Sequence, residues 1–395
     1  MKKTGTLTLP NRMTDAPSRR LFAALAAAGI GVRFVGGCVR NAVLEREIDD
    51  IDLAVTAPPD AVMRALETAK IKAIPTGIKH GTVTAIADSR VFELTTLRRD
   101  VETDGRRAVV AFTDDWQEDA ERRDFTFNAL YADPDGTFYD PFDGRADLAA
   151  GRVRFIGDPD RRITEDRLRV MRFFRFFAWY GKAPVDGAGF EACRRHAGAL
   201  GSLSGERVSK ELLRLLAAPR PVDAVGALAE SGALDHWLPE YDGLARLEAL
   251  IEREDKPDAL RRLASIVEED SDATIIGKRL KLSTQEALRL GLMLDREEPL
   301  GGHPRAELYR LGKTTFIDRL LLEAPAGWRE SLKLAESWTP PELPVSGSDV
   351  LKLGLAPGPK VGALLEAVET WWIAGDFAAD RAACLAELER LAKAP

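Results

Sequence analysis

Histidine and cysteine are scarce in this chain of 395 residues. The four histidines, His80, His196, His236 and His303, lie too far apart to meet on one helix, which leaves little material for a multi-histidine zinc site. Any bound metal is therefore expected on carboxylates. The three cysteines, Cys38, Cys193 and Cys384, form neither a C-x-x-C pair nor a disulfide framework. That usage is expected of a reducing compartment, so the chain is expected to be cytoplasmic. No apolar run approaches the roughly 18 residues of a bilayer crossing. The N-terminal MKKTGTLTLPNRMTD has no apolar stretch behind its lysines. Neither a membrane partner nor secretion is expected. A large charge excess is lacking too: 56 Lys and Arg stand against 63 Asp and Glu, net −7, which disfavours an indiscriminate nucleic-acid binder.

What is present is 45% hydrophobic and 30% charged residues, the composition of a globular chain long enough for two or three compact units. Its charge is unevenly spread. Residues 151–220 hold 15 Lys and Arg against 8 Asp and Glu, a local balance of +7 that leaves −14 for the remainder. Such a segment is either a set of solvated helix faces or the surface that meets a phosphate-bearing partner.

Two regimes meet near residue 150. Before it, short β-rich runs (VRFV at 32–35, IDLAV at 51–55, TVTAIA at 82–87, VFELTTL at 91–97, LYA and TFYD around 130–140) alternate with turns, predicting a mixed sheet with helices. After it, apolar residues recur at helical spacing, with Pro and Gly breaks near 220, 300 and 340. There the chain reads as all-α.

Residues 34–55 read FVGGCVRNAVLEREIDDIDLAV. A strand runs into Gly36-Gly37 and a short helical stretch bearing Arg40. Paired glycines let backbone N–H groups approach a phosphate, and a guanidinium can clamp its oxygens, although a tight turn has the same signature. Asp50 and Asp52 bracket Ile51 at the start of an apolar strand, where the two-residue period puts both carboxylates on one face and Asp49 on the other. The pair is either solvated or bridged by a divalent cation, for which carboxylates plus substrate phosphates suit Mg²⁺. Glu93 adds a third acid if its strand lies beside the first.

A second constellation is rich in arginine. In ERRDFTFNAL, Arg122, Arg123 and Asp124 precede an apolar-patterned helix bearing Asn128, with Asp124 suited to cap it. In ITEDRLRVMRFFRFFAWY, read as one helix, Arg169, Arg172 and Arg175 fall within an arc of about 120° while apolar side chains cover most of the rest. Arginines so placed need internal acids or bound phosphates as partners. Asp166 and Arg169, one turn apart, offer an acceptor beside a forked donor. That is the complement of the amino-bearing edges of cytosine and adenine and a mismatch for guanine and uracil.

GGCVRN followed by DID, TGIKHGTVTA at 76–85, the segment 93–130, and the motifs ERRDFTFNAL and EDRLR carry a resemblance to a known family, whose head domain is that of the polymerase β superfamily. They are most similar to class II tRNA nucleotidyltransferases, the CCA-adding enzymes, and their poly(A) polymerase relatives. Asn41 departs from the aspartate usual after Arg40. The resemblance implies an α/β nucleotidyltransferase head (1–150), followed by an all-α neck that reads the base (151–220), a body (221–340) and a tail contacting tRNA (341–395). It implies addition of CMP and AMP from CTP and ATP to the tRNA 3′ end by a two-metal mechanism with Mg²⁺ on Asp50 and Asp52. Gly37, Arg40, Arg123, Arg172 and Arg175 would face the nucleotide phosphates. Asp166 and Arg169 would read the base, and Asp124 and Asn128 would help hold the ribose. The partners implied are tRNA, CTP and ATP, with no obligate protein partner. A poly(A) polymerase, a CC-only or A-only enzyme, and a noncatalytic RNA-binding protein are the alternatives.

Overall fold

The computed structural model describes residues 1–393 apart from 79–80, 104–107 and 296–298, without the side chains of 100–103 and 108–110. Residue 80, one of the four histidines, and part of the segment 93–130 thus lie outside the described residues. The chain divides into two compact units. One comprises Met1–Leu244 with Pro257–Ala259 and Lys278–Leu282, and the other comprises the remaining residues.

The strands are β1 (Gly5–Thr6), β2 (Val32–Val35), β3 (Asp52–Val55), β4 (Lys72–Gly77), β5 (Thr82–Ala87), β6 (Arg90–Thr96), β7 (Arg98–Thr103), β8 (Ala108–Phe112), β9 (Tyr131–Ala132) and β10 (Thr137–Tyr139). Eight of them form one sheet in the order β1-β10-β9-β2-β3-β6-β5-β4, and β7 pairs with β8. Every pairing in the large sheet is antiparallel except β3 with β6, which is parallel and sets Asp52 opposite Glu93. A parallel pair needs a crossover, here supplied by the helix Pro59–Thr68 with β4 and β5. β5 alternates buried and half-buried residues, the signature of a sheet covered on one face. The covering helices, Ala16–Ala27 and Pro59–Thr68, bury Leu21, Leu25, Val62 and Leu66. β4 carries Pro75 and a register shift between Ile74 and Gly77, and it lies at the sheet edge, where a missing N–H costs no ladder bond.

Among the described residues no strand follows Tyr139, and the run of helices opens with Gly144–Ala150. The expected breaks fall between helices: at 217–221, between the helix ending at Leu294 and the one opening at Pro304, and at 338–346. Two expectations need correction. The stretch 163–180 is not one helix: Pro159–Glu165 ends at Asp166, and a new helix runs from Leu168 to Tyr180. Asn128 is not on an α-helix either, because the chain makes only a 3-10 turn, Thr126–Asn128, before entering β9. In the second unit, Pro359 opens the helix Pro359–Ala374 as its capping pattern predicts. Of its two tryptophans Trp372 is core, whereas Trp371 is exposed.

Candidate active site

Gly36 ends β2 with φ 66° and ψ −117°, a conformation open only to glycine, and turns the chain into the helix Gly37–Val43. A Cβ on Gly37 would lie 3.8 Å from both Arg40 Nη2 and Asp52 Oδ2, so this glycine stands between a guanidinium and a carboxylate. The four form one wall of a cleft of about 410 Å³. Its other lining residues are Arg122, Arg123, Asp124, Asn128, Asp166, Arg169, Arg172 and Phe176. Nine expected site residues therefore converge: Gly37, Arg40, Asp52, Arg123, Asp124, Asn128, Asp166, Arg169 and Arg172.

The remaining two do not line it. β3 begins at Asp52, so Asp50 is outside the strand and the alternation that was to align the two acids does not operate. Asp50 is exposed. Its charge still acts on Asp52, whose carboxyl is pushed up to about 6, first by burial, then by Glu93 and Asp50, against the pull of Arg123 and Arg40. Among the described residues no group of three or more His, Cys, Asp or Glu closes into a metal site. Even so, a buried carboxyl with two further acids acting on it concentrates negative charge that a divalent cation would relieve, so the donor set fits one. Arg175 is the second departure. It is not among the lining residues, lies over the Phe176 ring at 3.9 Å and forms an ion pair with Glu211 of the helix Gly205–Leu216. Burial lowers its pKa and Glu211 only partly offsets that.

Aromatic packing holds the arginine-rich turn on the helix Leu168–Tyr180. Phe125 meets Phe173 and Phe176 at 6.2 and 5.3 Å, and Phe127 meets Phe176 at 5.5 Å. On this support the arginines find internal acids. Buried Asp119 accepts from Arg122 Nη2 at 2.6 Å, Arg123 Nη2 at 2.9 Å and the Tyr131 hydroxyl at 2.7 Å. Burial would raise its pKa, but the two guanidiniums outweigh that and hold it well below the ordinary carboxylate value. Asp124 accepts from Arg172 Nε at 2.7 Å, from the Phe125 amide and from Asn128 Nδ2, both at 2.8 Å. Its carboxyl is likewise held low, Arg172 overcoming the burial penalty. Asn128 Oδ1 in turn accepts from Arg40 Nη1, while Arg40 Nη2 donates to the Tyr180 hydroxyl at 2.9 Å. Asn41 Nδ2 donates to the Glu47 carbonyl at 3.0 Å, and its Oδ1 accepts from the Tyr180 hydroxyl at 3.5 Å.

The base-edge pair is built differently from expectation. Arg169 Nη1 donates to Glu165 Oε2 and the Arg162 carbonyl, each at 2.8 Å, and its Nη2 donates to the Arg122 carbonyl at 3.2 Å. Asp166, in the break between helices, accepts from Arg207. Sequence reading missed Asp119, Phe176 and Arg207. Asp119 had a local signal, four residues before Arg123, whereas Arg207 lies 41 residues from its partner and had none.

A family model described as the poly A polymerase head domain matches residues 32–154, and one described as a probable RNA and SrmB-binding site of polymerase A matches 185–244. The mitochondrial CCA tRNA nucleotidyltransferase 1 of Mus musculus is 35% identical over 86% of this chain and 82% of its own length. A CCA-adding enzyme of Levilactobacillus brevis is 31% identical over 93% of this chain and 96% of its own. Among solved structures, the Bacillus stearothermophilus CCA-adding enzyme in complex with CTP has a TM-score of 0.79 at 27% identity, covering 96% of this chain and 98% of that one. The Thermotoga maritima CCA-adding enzyme with tRNA, at 19% identity and TM-score 0.68, shares the fold over 99% of this chain and 100% of its own.

Proposed function

The chain belongs to the family of CCA tRNA nucleotidyltransferases, and on that premise we propose that it adds CMP and AMP to the tRNA 3′ end from CTP and ATP without a nucleic-acid template. The single observation carrying this reading is the cleft, in which a glycine turn, a raised carboxyl, five arginines and the acceptor and donor pair of Asp166 and Arg169 converge. We assign residues 1–150 as the catalytic head, 151–220 as a base-reading neck, 221–340 as a body and 341–395 as a tail contacting tRNA.

Nucleotidyl transfer on this fold uses a divalent cation, which we take to be Mg²⁺ held by Asp52 with Asp50, two ions being the working number and Glu93 a neighbouring acid. When bound it would lower the pKa of the attacking tRNA hydroxyl and stabilise the leaving oxygens. The chain's own groups do the rest. Gly36 and Gly37 keep side chains out of the path of the triphosphate. Arg123, Arg172 and Arg40 offset its charge from fixed positions, since Asp119, Asp124 and Asn128 hold their guanidiniums before substrate arrives. Attack by the 3′-hydroxyl on the α-phosphate then releases pyrophosphate. Asp166 accepts the exocyclic amino group of cytosine or adenine while Arg169 donates to the adjacent ring nitrogen. Arg175, spent on Glu211, has a bracing role. Among the described residues no helix is long and apolar enough to cross a membrane, and we place the reaction in the cytoplasm.

The test is incubation of purified protein with tRNA lacking CCA, supplying each NTP singly and all together, followed by product sequencing. Products ending in CCA support the reading. Long adenosine tails, CC alone, A alone or no extension would each replace it with one of the alternatives.

A further inference from the structure

We propose that Arg207 is a specificity-determining positioning residue, fixing the Asp166 carboxylate so that one oxygen is presented to the amino group of the incoming base. This rests on the base-reading role assigned above to Asp166. The acid lies in the joint between the helices Pro159–Glu165 and Leu168–Tyr180, with φ −149° and ψ 105°, and its side chain is 34% exposed. On such a joint an untethered carboxylate can rotate, and a rotating acceptor discriminates poorly between an amino group and a carbonyl.

Here the carboxylate is tethered from two sides. The Leu168 amide donates to Oδ1 at 3.2 Å, and Arg207 Nη2 donates to Oδ1 at 3.0 Å and to Oδ2 at 3.1 Å. A carboxylate has about four acceptor directions. These contacts occupy three, leaving one on Oδ2 for the cleft that Asp166 lines. Arg207 comes from the helix Gly205–Leu216 and is not one of the lining residues, so it acts through Asp166. Arg169, the other half of the pair, is fixed by Glu165 and two backbone carbonyls. With both halves immobilised, the acceptor and donor order that fits C and A and opposes U and G is set before the nucleotide binds.

The tether is only partly buried, with the Arg207 side chain 40% exposed, so it contributes little to stability and its loss should leave the fold intact. Arg207→Met keeps the stem and removes the donor. Because a single nitrogen makes both bonds, Arg207→Lys retains a donor capable of them. The measurement is kcat/KM for all four NTPs in single-nucleotide incorporation on tRNA lacking CCA and on tRNA lacking only the final A. Wild type, both Arg207 variants and Asp166→Ala are compared, with melting curves for each. A base-edge contact supplies roughly ten- to hundredfold discrimination, so losing its orientation should cost about three- to tenfold in the ratio of CTP or ATP to UTP or GTP. Arg207→Lys should recover most of that ratio. If Arg207→Met keeps the wild-type ratio while Asp166→Ala loses it, or if Arg207→Met slows all four NTPs by one factor, the inference is overturned and the base-reading role survives. If Asp166→Ala also keeps the wild-type ratio, the base-reading role itself fails.

Discussion

Replacing Gly37 by alanine should separate stability from nucleotide use. Gly37 is the first residue of its helix, and the nearest atoms to an added Cβ are Arg40 Nη2 and Asp52 Oδ2, both at 3.8 Å, an ordinary van der Waals contact. No neighbour must move and no left-handed backbone is involved. A glycine-to-alanine exchange at a compatible site narrows the unfolded ensemble and adds about 0.4–1 kcal/mol of stability. Yet the methyl group would stand between the guanidinium and the carboxylate on the wall assigned to the triphosphate. Holding a phosphate oxygen off one charged hydrogen bond costs about 1.5–3 kcal/mol, or roughly ten- to hundredfold in kcat/KM. The assay pairs a thermal melt with kcat/KM for CTP on tRNA lacking CCA. Gly36→Ala is the contrast, because at φ 66° and ψ −117° alanine is strained and should lower Tm as well as activity. A Gly37→Ala protein that melts at or above wild type and also keeps its kcat/KM would refute the claim that phosphates approach this backbone.

With its carboxyl raised to about 6, Asp52 in the folded chain keeps a proton across roughly pH 4–6 that the unfolded chain has released, so without metal this group opposes folding above that window and is relieved as pH falls through it. Asp52→Asn should therefore melt no lower than wild type at neutral pH, should lose nearly all incorporation, and should lose the Tm rise that Mg²⁺ gives wild type; a lower Tm with activity retained would contradict this. Asp119 is the opposite case: held below the ordinary carboxylate value, it supplies stability that is complete above the unfolded pKa and disappears only as pH falls through the depressed folded value. Asp119→Asn leaves Arg122 and Arg123 facing each other with less compensation and should cost on the order of 3–5 kcal/mol in denaturant titration, against near zero if the acid were incidental. For tRNA, affinity should fall as salt rises, because exposed cations of 151–220 such as Arg161 and Arg194 displace counterions. The slope should be shallower than the +7 balance suggests, since Arg162, Arg169 and Arg175 are committed to internal acids, and a flat response between low and moderate salt would remove the electrostatic contribution altogether.

The sequence by itself determined what depends on neighbours along the chain. A strand running into Gly36-Gly37, an arginine one turn on, an apolar strand at about 51–55 and the switch from two-residue to helical periodicity near 150 are all local patterns, and each recurs in the structure, the strand one residue shorter. So did the idea that arginines on a phenylalanine-coated helix must have partners, because burying an unpaired guanidinium is costly wherever it occurs. The identity of those partners was not local. Arg172 is held by Asp124 from 48 residues away, and Asp166 by Arg207 from 41, separations at which no periodicity links two side chains. Glu93 comes beside Asp52 only because β3 and β6 pair in parallel, a choice made by the crossover between them. Asp50 shows the converse, since one residue of difference in where β3 begins removed it from the face that alternation had promised. Local chemistry thus nominated the acids and arginines of the cleft. Sheet register, the joint at Asp166 and the packing of Gly205–Leu216 on Leu168–Tyr180 decided which of them face one another, because charge pairs and cavities form between segments that only folding brings together.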